Sequence, residues 1–90
     1  MSVKVHLYSD LPQYAGNRTL VNVEGKTIGQ CLADLSRQFP GLSSQLLDAA
    51  GNIHPGLFVS IDLKSPGSEK PARLLAAAEE IYLIKIVAGG

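Results

Sequence analysis

Residues 80–87 are almost wholly apolar after Glu80, with Lys85 as the break. Successive residues of a strand point to opposite faces. Apolar residues at nearly every position therefore mean burial on both faces, which places this strand in the middle of its sheet. A chain of 90 residues builds one small domain. The rest of the sequence must then supply neighbours for that strand and a cover for one face. In residues 2–9, Val3, Val5 and Leu7 alternate with Lys4, His6 and Tyr8, the pattern of a half-buried strand. Residues 10–17 hold Pro12, Gly16 and Asn17 and read as a turn. Residues 18–24 alternate again, with Val21 and Val23 against Asn22 and Glu24, so the two strands make a hairpin.

The hydrophobic period then changes. Ile28, Cys31, Leu32, Leu35 and Phe39 recur at spacings of three and four, one face of a helix. Thr27, with Gln30 three residues on, reads as a capping box, and Pro40-Gly41 ends the helix. Residues 42–50 form a further short turn of helix with Leu42, Leu46 and Leu47 inward. Gly51-Asn52 and Pro55-Gly56 are breakers. In residues 57–63, Leu57, Val59, Ile61 and Leu63 share one strand face, with Phe58, Ser60 and Asp62 on the other. Residues 64–71 form a polar loop, and Leu74 and Leu75 sit in a short turn before the last strand. The order is an α+β one, a mixed sheet of four to five strands with one main helix on one face. With the first and last strands paired in parallel at its centre, this is a β-grasp, the ubiquitin-like fold. Residues 1–87 are expected to form the domain and residues 88–90 an exposed tail.

Composition narrows the function classes. Eight basic and eight acidic residues cancel, which argues against a nucleic-acid or anionic-membrane binder. No apolar run approaches the roughly 18 residues of a membrane span, and residues 1–5 lack a signal-peptide core, so a cytoplasmic location is the expectation. One cysteine closes no internal disulfide and builds no thiolate metal site. Cys31 falls on the apolar helix face, where a free cysteine acts as a small hydrophobe. His6 and His54 have nothing nearby in sequence to complete a metal or general-base site. Asp62 reads as solvated and Glu79-Glu80 as a turn, with contact to a basic partner the alternative. A domain this small has little room for a catalytic cleft and reads as a module that other proteins act upon.

The most informative residues are Gly89 and Gly90. Two final glycines arise by chance about once in two hundred at an average glycine usage near 7%. Here they follow a buried strand directly, and three extended residues reach roughly 10 Å. Glycine lets a backbone adopt unusual φ/ψ values and approach closely, as a terminal carboxylate must when it threads a narrow channel to meet ATP.

The sequence resembles the small ubiquitin-like sulfur carriers: the molybdopterin-synthase small subunit, the thiamine sulfur carrier and the carrier of cysteine synthesis. The resemblance spans nearly the whole chain. It rests on Gly25-Lys26-Thr27, Leu32-x-x-Leu35, Phe39-Pro40-Gly41-Leu42, Leu57-Phe58-Val59-Ser60-Ile61, residues 74–81 and the ending Val87-Ala88-Gly89-Gly90. It implies adenylation of Gly90 by a ubiquitin-activating-type enzyme, conversion to a thiocarboxylate and sulfur donation, with Gly89 letting the tail thread. The chain would then be a protein co-substrate and not an enzyme. Its partners would be the adenylating enzyme and a sulfur-accepting biosynthetic enzyme, met as a monomer in transient complexes. This chain would bind no cofactor; ATP with magnesium, and pyridoxal phosphate for a cysteine-synthase-type recipient, would belong to the partners. The alternatives are the small subunit of molybdopterin synthase and a modifier forming isopeptides with lysines. Lys64-Ser65-Pro66-Gly67, Ala78-Glu79-Glu80 and Lys85-Ile86 depart from the turns and prolines common in the family. Gly51-Asn52-Ile53-His54 with Phe58-Val59-Ser60-Ile61 is most similar to the cysteine-synthesis carrier. A docking patch is expected where Ile81 and Leu83 turn to the helix and Tyr82, Ile84, Ile86 and Phe58 turn away, continued by Val87 and Ala88.

Overall fold

The computed structural model describes residues 2–65 and 67–86; Val87, Ala88, Gly89 and Gly90 lie outside the described residues. Four strands, β1 (Ser2–Leu7), β2 (Leu20–Glu24), β3 (Leu57–Ile61) and β4 (Ile81–Lys85), form one sheet in the order β2-β1-β4-β3. Parallel pairing aligns Val5 with Ile81 and Leu7 with Leu83, while β2 and β3 run antiparallel to their neighbours. The doubly apolar strand is thus central, and the first and last strands meet in parallel, which is the β-grasp arrangement.

One face carries two helices, α1 (Ile28–Gln38) and α2 (Pro40–Leu46). The core lies between them and the sheet. Val3, Val5, Leu7, Val59, Ile81 and Leu83 meet Ile28, Leu32, Leu35, Leu42 and Leu46, all buried. At the start of α1, Thr27 Oγ1 accepts the Gln30 N–H at 3.1 Å, and Gln30 Oε1 accepts the Lys26 N–H at 2.8 Å. The capping box therefore closes one residue upstream of its usual form. Phe39 leaves the helical region before Pro40, as a pre-proline residue tends to. Pro40 then stands in the first turn of α2, where its missing N–H costs nothing. The Pro40-Gly41 pair ends one helix and starts the next.

Two sequence expectations need correction. Residues 10–17 are not merely a turn: Leu11–Tyr14 form a 3₁₀ turn that buries Leu11, with Ala15 buried after it. The strand expected over residues 57–63 stops at Ile61. Asp62 (φ 53°) and Leu63 (φ 59°) enter the left-handed region and swing the chain away, leaving Leu63 58% exposed. Asp62 is a turn residue and not a solvated strand residue. Its N–H donates to the Glu80 carbonyl and its Oδ1 accepts the Glu80 N–H, both at 3.0 Å, so it fixes the entry to β4.

Side chains, and on β3 one loop N–H, occupy backbone groups along both sheet edges. On β3 the Val59 and Ile61 N–H groups donate to Ser68 Oγ and Ser65 Oγ at 3.0 Å, and the Val59 carbonyl accepts the Glu69 N–H at 2.8 Å. On β2 the Glu24 N–H donates to Asp34 Oδ2 at 2.9 Å, and the Asn22 carbonyl accepts from Gln38 Nε2 at 3.0 Å. Asp34 is buried on α1 and also receives Arg37 and Gln38. The Glu24 N–H above all, then these side chains, hold its carboxyl below the usual carboxylate range.

Candidate functional site

The region that matters for the expected chemistry is the end of β4, where the chain leaves the described body. Ile86 is 54% exposed, and its N–H donates to the Gly56 carbonyl at 2.6 Å, one pair beyond the Leu57–Lys85 register. The Lys85 carbonyl accepts from Ser9 Oγ at 3.0 Å. Lys85 itself, the break in the apolar run, reaches the Gln45 carbonyl at 3.4 Å. That carbonyl belongs to the last turn of α2, where helix carbonyls lack internal partners. Gly90 and Gly89, the expected reacting and threading residues, and Val87 and Ala88 from the expected patch fall beyond this point, outside the described residues.

The remaining patch residues occupy the sheet face opposite the helices. Phe58 and Ile84 stand directly across from one another in the β3–β4 register, and Tyr82 lies beside them, opposite Ser60. Ile81 and Leu83, which alternate with them, are fully buried. The expected alternation holds, but the face is less open than a patch of four exposed apolar residues. Phe58, Tyr82 and Ile84 are half-buried, and only Ile86 among them is largely exposed.

Sequence reading missed what covers Tyr82. The parallel register sets His6 beside it, and the two rings stack with centroids 4.2 Å apart and planes within 5°. Tyr8 continues the row at 6.1 Å from Tyr82. His6 Nε2 meets Glu80 Oε1 at 2.5 Å. Loss of hydration, with the Glu80 charge next, pushes the Tyr82 phenol upward. Beside this row, His6, Leu7, Tyr8, Thr19 and Leu20 line a hollow of about 350 Å³. The signal was present in the sequence: His6, Tyr8 and Tyr82 all fall on outward positions of the two strands read as parallel neighbours.

The other candidate residues are structural. Cys31 is fully buried, and burial, then the Asp34 and Glu24 charges, push its thiol up to about 11. His54 Nδ1 accepts the Gly56 N–H at 3.0 Å. Glu79 takes both Nη atoms of Arg73, at 2.9 and 3.1 Å, and the Ala76 N–H at 2.7 Å. The Arg73 bond, followed by the Ala76 N–H, holds its carboxyl below the usual range. Glu79 closes its own turn through the Ala76 N–H and Glu80 meets His6, in keeping with the turn reading of Glu79-Glu80. Among the described residues no group of three His, Cys, Asp or Glu could hold a metal ion. No helix among them is long and apolar enough to cross a membrane.

A four-stranded sheet with β1 and β4 parallel at its centre and a helix across one face defines the chain as a ubiquitin-like β-grasp protein. No family model matches the sequence. The sulfur carrier protein CysO of Mycobacterium tuberculosis is 29% identical over 97 aligned positions, covering the whole of both chains. Among solved structures, SAMP1 from Haloferax volcanii superposes with a TM-score of 0.84 at 26% identity over the whole of both chains. The Amycolatopsis orientalis BexX/CysO complex matches in fold, with a TM-score of 0.77 at 21% identity over 98% of this chain and 99% of that one. Homology to the carrier and the shared fold support a place for the chain in the ubiquitin-like sulfur-carrier family.

Proposed function

We propose that the chain is a sulfur-carrier protein whose reacting group is the carboxylate of Gly90. It acts in the cytoplasm, residues 1–87 being the body that partners grip and residues 88–90 the reactive tail. The supporting observation is the homology to a sulfur carrier over the full chain, joined to a central strand held firm up to Ile86. A carboxylate is a poor electrophile. An activating partner joins it to AMP from ATP with release of pyrophosphate, sulfide displaces AMP, and the thiocarboxylate sulfur then attacks an electrophilic substrate on a recipient enzyme. Hydrolysis of the spent acyl group restores the carboxylate. ATP, magnesium and, for an amino-acid acceptor, pyridoxal phosphate are held by the partners. Phe58, Tyr82, Ile84 and Ile86, with Val87 and Ala88, form the surface that both partners use in turn. The solved BexX/CysO complex, of matching fold, supports a body that docks on a partner protein.

The likeness to an archaeal modifier protein favours one second reading, a modifier that forms isopeptides through the same terminus. Intact mass separates the two. Incubation with an adenylating enzyme, ATP and a sulfide source should add about 16 Da, oxygen replaced by sulfur, and deletion of Gly90 should abolish the gain without unfolding the domain. Ladders of heavier conjugates would favour the modifier. Co-purification at equal stoichiometry with a larger subunit would favour the small subunit of molybdopterin synthase. A Gly90 deletion that still gains sulfur would refute the role given to the tail.

A further inference from the structure

The end of β4 is held by groups that the core does not need. Strand β1 pairs with β4 as far as Leu7 and Leu83, and the Tyr8 N–H still reaches the Leu83 carbonyl at 3.0 Å. The next carbonyl of β4 on that side is Lys85. β1 has by then turned away at Ser9, whose φ of 60° lies in the left-handed region. The Ser9 hydroxyl stands where a backbone N–H would have been and donates to the Lys85 carbonyl at 3.0 Å. On the other side the Ile86 N–H reaches the Gly56 carbonyl at 2.6 Å. Gly56 is itself fixed: its N–H donates to His54 Nδ1 at 3.0 Å, and the His54 N–H donates to the Leu46 carbonyl, at the last residue of α2, at 2.8 Å. A Cβ on Gly56 would lie 3.3 Å from the Ile86 oxygen and 3.4 Å from His54 Nδ1, so the strands approach here at a distance that glycine suits.

Both bonds lie beyond the buried part of β4, and Ile86 exposes more than half of its surface. They fasten backbone that the hydrophobic core does not hold. We infer that Ser9 and Gly56 are positioning residues for the carrier reaction, forming a two-sided clasp that keeps β4 extended to its last described residue. This rests on the carrier reading. A tail launched from a fixed base spares the activating enzyme from having to position Lys85 and Ile86 as well. Opening the clasp would free Ile86 and the Lys85 carbonyl, while Ile84 and Lys85 stay paired with Phe58 and Leu57 on β3. Fixing one residue's backbone costs on the order of 1–2 kcal/mol; re-ordering even one more residue therefore weakens productive engagement by roughly tenfold.

Three variants of the full chain test this. Ile86→Pro removes the N–H donor, while Ile86→Ala removes the side chain and keeps it. Ser9→Gly removes the hydroxyl at a positive φ that glycine tolerates, so the fold is retained. Two readouts are taken: steady-state 1H–15N NOEs at Lys85, and at Ile86 in Ser9→Gly; and KM and kcat for the carrier in ATP–pyrophosphate exchange with an adenylating enzyme. The expected result is loss of NOE at the clasp and, at unchanged kcat, about a tenfold rise in KM for Ser9→Gly over wild type and for Ile86→Pro over Ile86→Ala, the last variant carrying whatever the docking surface loses with the Ile86 side chain. Wild-type turnover with Ile86→Pro matching Ile86→Ala, and Ser9→Gly matching wild type, would overturn the clasp alone. Failure of the wild-type chain to be adenylated would overturn the carrier reading on which it rests.

Discussion

Leu83→Ala and Ile84→Ala truncate neighbouring residues on opposite faces of the central strand. Leu83 is fully buried, flanked by Leu7 on β1 and Val59 on β3. Removing its three terminal carbons loses about 2.4 kcal/mol of transfer energy at roughly 0.8 kcal/mol per carbon. The cavity left behind adds to this, and buried Leu→Ala changes span about 2–5 kcal/mol, so a loss near 3 kcal/mol is expected. At roughly 4–8 °C per kcal/mol for a domain of this size, the melting point should fall by about 12–24 °C. Ile84 is half-buried on the far side, beside Phe58, where its truncation should cost about 1 kcal/mol. Urea unfolding of both variants, with the midpoint read at constant m, measures the difference. A register shifted by one residue would exchange the two faces. Ile84→Ala as damaging as Leu83→Ala, or more so, would refute the face assignment and with it the placing of the docking surface.

Thr27→Ala should cost about 1 kcal/mol through loss of the α1 cap, seen as a lower urea midpoint with m unchanged. Cys31, buried and with its thiol pushed up to about 11, should react with a disulfide reagent at pH 8 at least a hundredfold more slowly in the native protein than in denaturant; equal rates would contradict the burial. Asp34 has its carboxyl held down in the folded state. Its contribution is therefore complete above the ordinary carboxylate value of about 3.9 and is lost as pH falls through the lower folded value. Asp34→Asn should be less stable than the parent at pH 7, with the gap narrowing toward pH 2.5; a gap independent of pH would reject the assignment.

Most of the framework was legible because it rests on periodicity. Val3, Val5 and Leu7 against Val21 and Val23, and the three-and-four spacing from Ile28 to Leu35, each encode one buried face, and the doubly apolar Ile81–Lys85 segment could only be central. What escaped was set by backbone sign and by pairing across long separations. Nothing in a Leu-x-Leu alternation marks Asp62 and Leu63 as the point where φ turns positive, so the third strand was read two residues too long. Ser9 and Gly56 look like ordinary loop residues until the fold brings them to either side of Lys85 and Ile86. The row of His6, Tyr82 and Tyr8 depends on a parallel register between strands more than seventy residues apart, which no local pattern specifies.

The groups that fill the sheet margins have a consequence for behaviour at high concentration. An open strand is a template on which a second chain can add, and repeated addition leads to fibres. With Ser65, Ser68 and Glu69 on one margin and Asp34 and Gln38 on the other, the middle of each boundary strand already has its main-chain partners. A protein whose aromatic face stays partly uncovered therefore has the cross-β route to polymerisation obstructed at the middle of both boundary strands.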